Sequence, residues 1–261
     1  MALNTITQVV LPDGTEIGLA DWTDRPLYST ADLGSGYTDQ EMDLFQYTAG
    51  QAVPGAAPTP GFTLRSSTQN DTCLATAGEM ATTEELLVYA VKPEIYCGLW
   101  DMQNFNTFRY IGEASALGTA TLGMPATPLT VLAVLMQALL IRLRVSEKDY
   151  VQSGLAYHNP GFGLFGVSNL VPQGPNNPSR TLANHGLPSQ EAVRSFALPV
   201  HIAAQEKYRL TLVNDTGLPV EFGYTELFST DPTEGTGTVN DPQVMVRVRV
   251  YLDGLYKRPT A

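Results

Sequence analysis

Gln243–Leu255 reads QVMVRVRVYLDGL. Val244, Val246, Val248, Val250 and Leu252 occupy alternate positions, with Met245, Arg247, Arg249 and Tyr251 between them. Strand side chains alternate between faces with period 2, so this run presents one apolar face and one basic, amphipathic face. It stops at Asp253-Gly254 and is followed by Lys257-Arg258-Pro259. So β-branched a strand at the end of the chain must pair with segments made much earlier. That points to an antiparallel sandwich with long-range pairing, and away from a sequentially wound βαβ protein.

Working outward, 261 residues suffice for one large β domain or two small ones, and for a real core. An apolar fraction of 43% with only 16% charged residues describes an ordered chain with a weakly charged surface. The net charge of −11 is unevenly placed. Residues 1–113 hold 15 acids and 4 bases, and residues 114–261 hold 11 of each, so the first part carries the whole excess. Neither end has a basic arm, which disfavours binding bare nucleic acid through counterion release. Two cysteines, Cys73 and Cys97, make no disulfide framework and supply too few ligands for a zinc site. Free thiols are expected, with a Cys73–Cys97 pair as the alternative. MALNTITQVVLPDG lacks the charged and apolar regions of a signal peptide. The most apolar run, Pro128–Leu143, includes Gln137 and Arg142 and falls short of the ~18 residues a membrane span needs. A soluble, leaderless protein is expected.

Along the chain, Thr5–Leu11 and Thr15–Leu19 flank Pro12-Asp13-Gly14 and read as a hairpin. Asp21–Tyr28 continues as an extended, aromatic-anchored segment, and Met42–Tyr47 is a short strand. Gln51–Pro60, QAVPGAAPTP, reads as a long surface loop, since strand patterns lie on both sides of it. Phe62–Arg65 and Asn104–Glu113 have strand chemistry. Glu84–Cys97 is read as a strand, with a bulge or an edge position at Pro93. Pro128–Leu140 is the one helix predicted, running into a strand at Ile141–Val145. Further strands are predicted at Phe196–Ile202, Tyr208–Val213 and Val220–Thr225, with turns at Gln205-Glu206 and Asn214–Gly217. About ten to fourteen short strands and one helix make an all-β fold, a sandwich or jelly roll with long loops. No internal repeat is visible, so a single roll spanning 1–261, with an N-terminal hairpin extension, is expected rather than two.

Chemistry is sparse. His158, His185 and His201 are not within metal-ligand spacing of one another, so no metal site is read. Glu84, Glu85, Glu94 and Glu113 are candidate carboxylates for glycoside hydrolysis only in the sense that any acidic β protein offers some. Gly161–Gly166 has the glycines of GxGxxG, but no helix-forming run follows, so it is read as an aromatic-tipped loop. No catalytic, cofactor-binding or metal-binding residue is assigned, and none of these readings makes the chain an enzyme. Apolar loops such as Pro160–Gly166 and Gln51–Pro60 are expected at protein contacts.

Three stretches carry a resemblance: Thr72–Tyr96 (TCLATAGEMATTEELLVYAVKPEIY), Leu140–Gly166, and Phe196–Pro259 with its FALPVHI, YRLTLVN and VRVRVYLDGLYKRP strands. Together they are similar to virion proteins of tailless icosahedral bacteriophages, whose coats are built from β-jelly rolls. The resemblance covers about half the chain and is one of strands and turns, not a catalytic fingerprint. It implies a self-assembling capsid subunit of the virion, non-enzymatic and without cofactor. Its partners would be copies of itself, other virion proteins and an internal membrane or minor capsid proteins. The chain departs from the commonest coat-protein layout in lacking a basic N-terminal arm. Apart from Arg142 and Arg144, Arg247 and Arg249 are the one closely spaced basic pair on a strand. Each suits a neighbouring strand's Glu or Asp as well as a phosphate, so no lining of bare nucleic acid is expected. A carbohydrate- or receptor-binding sandwich of the fibre or spike type is the alternative.

Overall fold

The structure is a computed structural model. It describes residues 8–10, 14, 16–18, 20–34, 41–56, 66–100, 108–110, 135–158, 193–216 and 243–257. Strands dominate it: β1 (Gln8–Val10), β2 (Glu16–Gly18), β3 (Trp22–Asp24), β4 (Leu27–Gly34), β5 (Glu41–Leu44), β6 (Gly55–Ala56) and β7 (Glu85–Trp100) come first. The later strands are β8 (Phe108–Tyr110), β9 (Leu139–Val145), β10 (Lys148–Gly154), β11 (Val200–Ile202), β12 (Tyr208–Asn214) and β13 (Gln243–Lys257). The fold is all-β, and its sheets are antiparallel apart from the short pairing of β4 with β6.

The C-terminal strand is the axis of the larger sheet, whose order is β11-β7-β13-β4-β6. Val248 stands between Ala31 of β4 and Ile95 of β7, and Val250 between Ser29 and Pro93. Val248, Val250 and Leu252 are fully buried, as the alternation requires. The second sheet runs β10-β9-β12-β5. Its strand β9 alternates buried and half-buried residues along its whole length. Leu139, Ile141 and Leu143 from that sheet join Leu33, Ile95 and Val250 from the other in one apolar core.

β13 does not stop at Asp253-Gly254, as the sequence suggests, but runs on to Lys257 through an irregularity. Asp253 pairs with Ala90 and Gly254 with Val88, so Tyr89 is an extra residue on β7. An extra residue flips the faces of the residues beyond it. Hence Leu86 and Val88 belong to the main core before the bulge, and Val91 and Ile95 after it. Gly254 is required there, because a Cβ on it would run into the backbone carbonyl of Leu87. Of the bulge or edge position expected at Pro93, the bulge is at Tyr89 instead. Pro93 itself is paired in register with Val250. Across the strand from β13, β7 meets β11 at Leu86–Val88 and β8 at Gly98–Trp100. Pro93 lies in the interval between these contacts, where among the described residues no strand pairs with it on that side, an edge position of the kind a proline tolerates.

The predicted helix is also shorter at its end. Residues 135–138 are helical, but Leu139 and Leu140 already pair with β12 and β10, because burying Leu139, Ile141 and Leu143 together needs a period of two. Phe196–Pro199 precedes β11 without being strand, although Phe196 N–H reaches the Tyr89 carbonyl at 2.6 Å. The expected N-terminal hairpin forms as β1 and β2. Its Val9 and Ile17, with Trp22, cover Leu87, Tyr89 and Leu255 on the outer face of the larger sheet. The Phe62–Arg65 and Val220–Thr225 strands and the Gly161–Gly166 loop lie outside the described residues.

The outer edge of β4 is closed by the chain around it rather than left open. Tyr28 N–H donates to Cys73 Sγ at 3.2 Å, and Cys73 N–H returns a bond to the Tyr28 carbonyl. The Tyr47 hydroxyl accepts from Thr30 N–H at 2.9 Å and donates to the Thr30 carbonyl at 2.6 Å. Asp32 N–H reaches the Pro54 carbonyl, and β6 pairs beyond it. An edge satisfied in this way no longer templates another strand. The Gln51–Ala56 part of the Gln51–Pro60 loop thus works inside the chain, with Val53 fully buried.

Candidate functional site

Four groups of side chains carry the chemistry of the described residues. The first lies on the outer face of the larger sheet, where β13 presents its basic positions. Arg247 Nε reaches Asp32 Oδ1 at 2.9 Å, and Asp32 is only 2% exposed. Arg249 donates to Thr30 Oγ1 and to the Asn70 carbonyl, the latter at 2.7 Å. Tyr251 gives its hydroxyl proton to Glu94, and Lys92 pairs with Asp253. In the other sheet Arg142 meets Glu41, and Arg144 grips Asp149 with two bonds of 2.6 and 3.0 Å. Both basic pairs singled out in the sequence are thus engaged within the chain.

The second group is Ser153 and His158. Ser153 Oγ lies 2.6 Å from Nε2 of a histidine that is 1% exposed. Burial, helped by the Arg194 charge, pulls the imidazole pKa down to about 4, so the ring is neutral at physiological pH. Its Nδ1 is buried without a hydrogen-bond partner. A serine activated by histidine needs that nitrogen held by an acceptor, which fixes the tautomer and steadies the imidazolium. This pair lacks it and locks the turn after β10 instead.

The third group is Glu85, which takes bonds from Lys257 Nζ at 2.5 Å and lies 2.9 Å from His201 Nε2. Burial alone would raise the Glu85 pKa, but the bonds and charges of Lys257 and His201 outweigh it and hold it below the usual carboxylate range. The trio ties β7, β13 and β11 together at one end.

The fourth group surrounds a cavity of about 60 Å³ at the end of the sandwich where β4 and β12 begin and β13 ends. Tyr208 and Tyr256 line it, with Cys73, Glu84 and Met80 on the loop side. Tyr208 is 3% exposed, and its hydroxyl has no hydrogen-bond partner. Tyr256 is bonded to Glu84, and the Arg25 guanidinium stacks on its ring at 4.9 Å. Burial pushes the Tyr208, Tyr256 and Cys73 hydroxyl and thiol pKa values up, so all three stay protonated. Cys73 carries a free thiol.

Of the residues read from sequence, Glu84 lines the cavity, Glu85 and His201 meet, and Glu94 serves Tyr251; these carboxylates do not converge on one cleft. Glu113 and His185 lie outside the described residues. Among the described residues no three His, Cys, Asp or Glu side chains are grouped to hold a metal ion. No described helix is long and apolar enough to cross a membrane. Sequence reading missed the cavity, whose signal was a polar-tipped aromatic at an inward position of β12 and of β13. Comparison with known proteins finds no matching family, no similar curated protein and no similar solved structure.

Proposed function

We propose that the chain is a jelly-roll capsid subunit, a structural protein of a virion that assembles with copies of itself. What supports the roll is the set of strand pairings. Of the eight strands β4, β5, β7, β9, β10, β11, β12 and β13, the first pairs with the eighth, the second with the seventh, the third with the sixth and the fourth with the fifth. A chain doubled back as one long ribbon of pairs and then rolled up gives this order. The roll is sealed where β13 meets β7 and β12 meets β9. This single observation carries the reading, and the resemblance of the same strands to coat proteins gives it its function.

The engaged basic pairs favour a shell subunit that does not line bare nucleic acid, with a membrane or a separate basic protein facing the genome. Purified full-length chain, run on size exclusion with light scattering, should elute as large discrete assemblies. Titrated with nucleic acid at low salt, it should show no micromolar binding. A strict monomer at every concentration, salt and pH would overturn the assembly reading. Tight binding with a steep salt slope would overturn the second claim.

A carbohydrate-binding module is the second reading. Tyr28 and Tyr251 favour it, tilted rings 5.9 Å apart on the outer sheet face with Arg249 above Tyr28. Their hydroxyls are already spent on the Gln69 carbonyl and Glu94. A saturable sugar titration that quenches these tyrosines would select this reading over the first.

A further inference from the structure

The 73–84 loop closes the end of the sandwich and is fixed from both sides. Gly78 N–H donates to the Phe45 carbonyl, Tyr208 N–H to the Gly78 carbonyl, and Met80 exchanges bonds with Gln205 and Glu206. Glu79 bridges to Lys207. Gly78 has a φ of +67° and abuts the Gln46 side-chain amide, which in turn donates to the Tyr208 carbonyl. The cavity beneath this loop is therefore a fixed part of the fold.

Its walls restrict what enters. A water molecule needs on the order of 10–15 Å³ of such space, so about 60 Å³ admits a cluster of roughly four, or one molecule of a few heavy atoms. Glu79 and Glu84 face a single guanidinium, that of Arg25, which argues against an anion. That guanidinium already covers the Tyr256 ring, the natural seat of a cation. Leu27, Leu74 and Met80 make the remaining wall apolar. The Cys73 thiol is held by Tyr28, accepting its N–H and lying 3.8 Å from its carbonyl. What is left over is the Tyr208 hydroxyl, a buried donor with nothing to donate to. A buried group in this condition is costly unless a partner outside the polypeptide satisfies it.

We propose that the cavity is a binding site for a neutral hydroxylic ligand, whose oxygen accepts the Tyr208 hydroxyl proton. Such a ligand bridges β12 to the loop wall formed by Cys73 and Glu84, and so fastens the loop to both sheets. Solvent water and a small alcohol or diol share this chemistry.

The test begins with Tyr208→Phe in the full chain, which keeps the ring and deletes the hydroxyl. A satisfied hydroxyl predicts a fall in Tm of about 2–4 °C; an orphaned one predicts no change or a rise. Two measurements separate the sources, and the second, made on the wild-type chain alone, stands even where the variant folds poorly. A long-lived water seen by oxygen-17 relaxation dispersion, absent in Tyr208→Phe, assigns the site to water. A saturable slowing of Cys73 alkylation by ethylene glycol, located by mass spectrometry and not reproduced by sucrose at equal viscosity, assigns it to a small diol. Neither signal in the wild type, or a Tyr208→Phe chain at least as stable as wild type, overturns the proposal.

Discussion

Replacing Val248 by aspartate tests the position of the C-terminal strand at the centre of the core. Val248 is 0% exposed and lies between Ala31 and Ile95 in register. Among the described residues no lysine or arginine is buried, so the new carboxyl would fold in its neutral form. At pH 7, holding a group with an ordinary pKa near ~3.9 protonated spans about three pH units. At about 1.4 kcal/mol per unit, that costs roughly 4 kcal/mol. Lost apolar burial adds on the order of 2 kcal/mol. Against a typical stability of about 5–15 kcal/mol the variant is marginal or unfolded at pH 7. The folded state holds one proton more than the unfolded state, so the variant's stability falls as pH rises. Lowering the pH from 7 to 5 should restore about 2.7 kcal/mol. Val248→Ala should cost about 2 kcal/mol without that pH dependence. Urea titrations followed by circular dichroism at both pH values measure this. A Val248→Asp midpoint equal to wild type at pH 7, or a loss that does not shrink on acidification, would refute a buried central strand.

Other outcomes rest on individual contacts. Gly254→Ala places a Cβ against the Leu87 carbonyl and should cost about 1–3 kcal/mol in urea unfolding; wild-type stability would remove the close approach. Tyr47→Phe strips both bonds to Thr30 and should cost about 1–3 kcal/mol, with faster amide exchange at Thr30 as the specific readout. Because the folded-state pKa of His158 is lowered to about 4, its contribution is complete above the unfolded value near ~6.5. That contribution is lost as pH falls towards 4, and His158→Asn should flatten this part of the stability profile. The lowered Glu85 pKa supplies stability that is present above the ordinary carboxylate range and is lost as pH falls and the carboxylate protonates, and Glu85→Gln should remove it.

The period-2 runs carried most of the fold in the sequence. QVMVRVRVYL, YRLTLVN and LIRLRV are strands because their alternation admits no other burial, and each pairs in the structure. Strand ends were less legible. Asp253-Gly254 has turn chemistry, yet here the glycine serves close backbone approach at the Tyr89 bulge, a demand set by the partner strand. Leu139 and Leu140 suit helix and strand alike, and only pairing with β12 and β10 decides between them. The pairing of Arg247 with Asp32 was foreseeable in kind but not in partner, since 215 positions separate them. The cavity was hidden for the same reason: Cys73, Tyr208 and Tyr256 meet only once the first, seventh and eighth strands of the proposed roll come together.

If these paired strands form a roll, its proposed use is to build a shell. Electron cryomicroscopy of the purified, concentrated chain tests that use most directly. Closed icosahedral particles are expected, in which each subunit shows β13 between β4 and β7, with the paired arginines of β13 away from any nucleic acid density. Chains that remain monomeric, or that join only into open filaments, would contradict it.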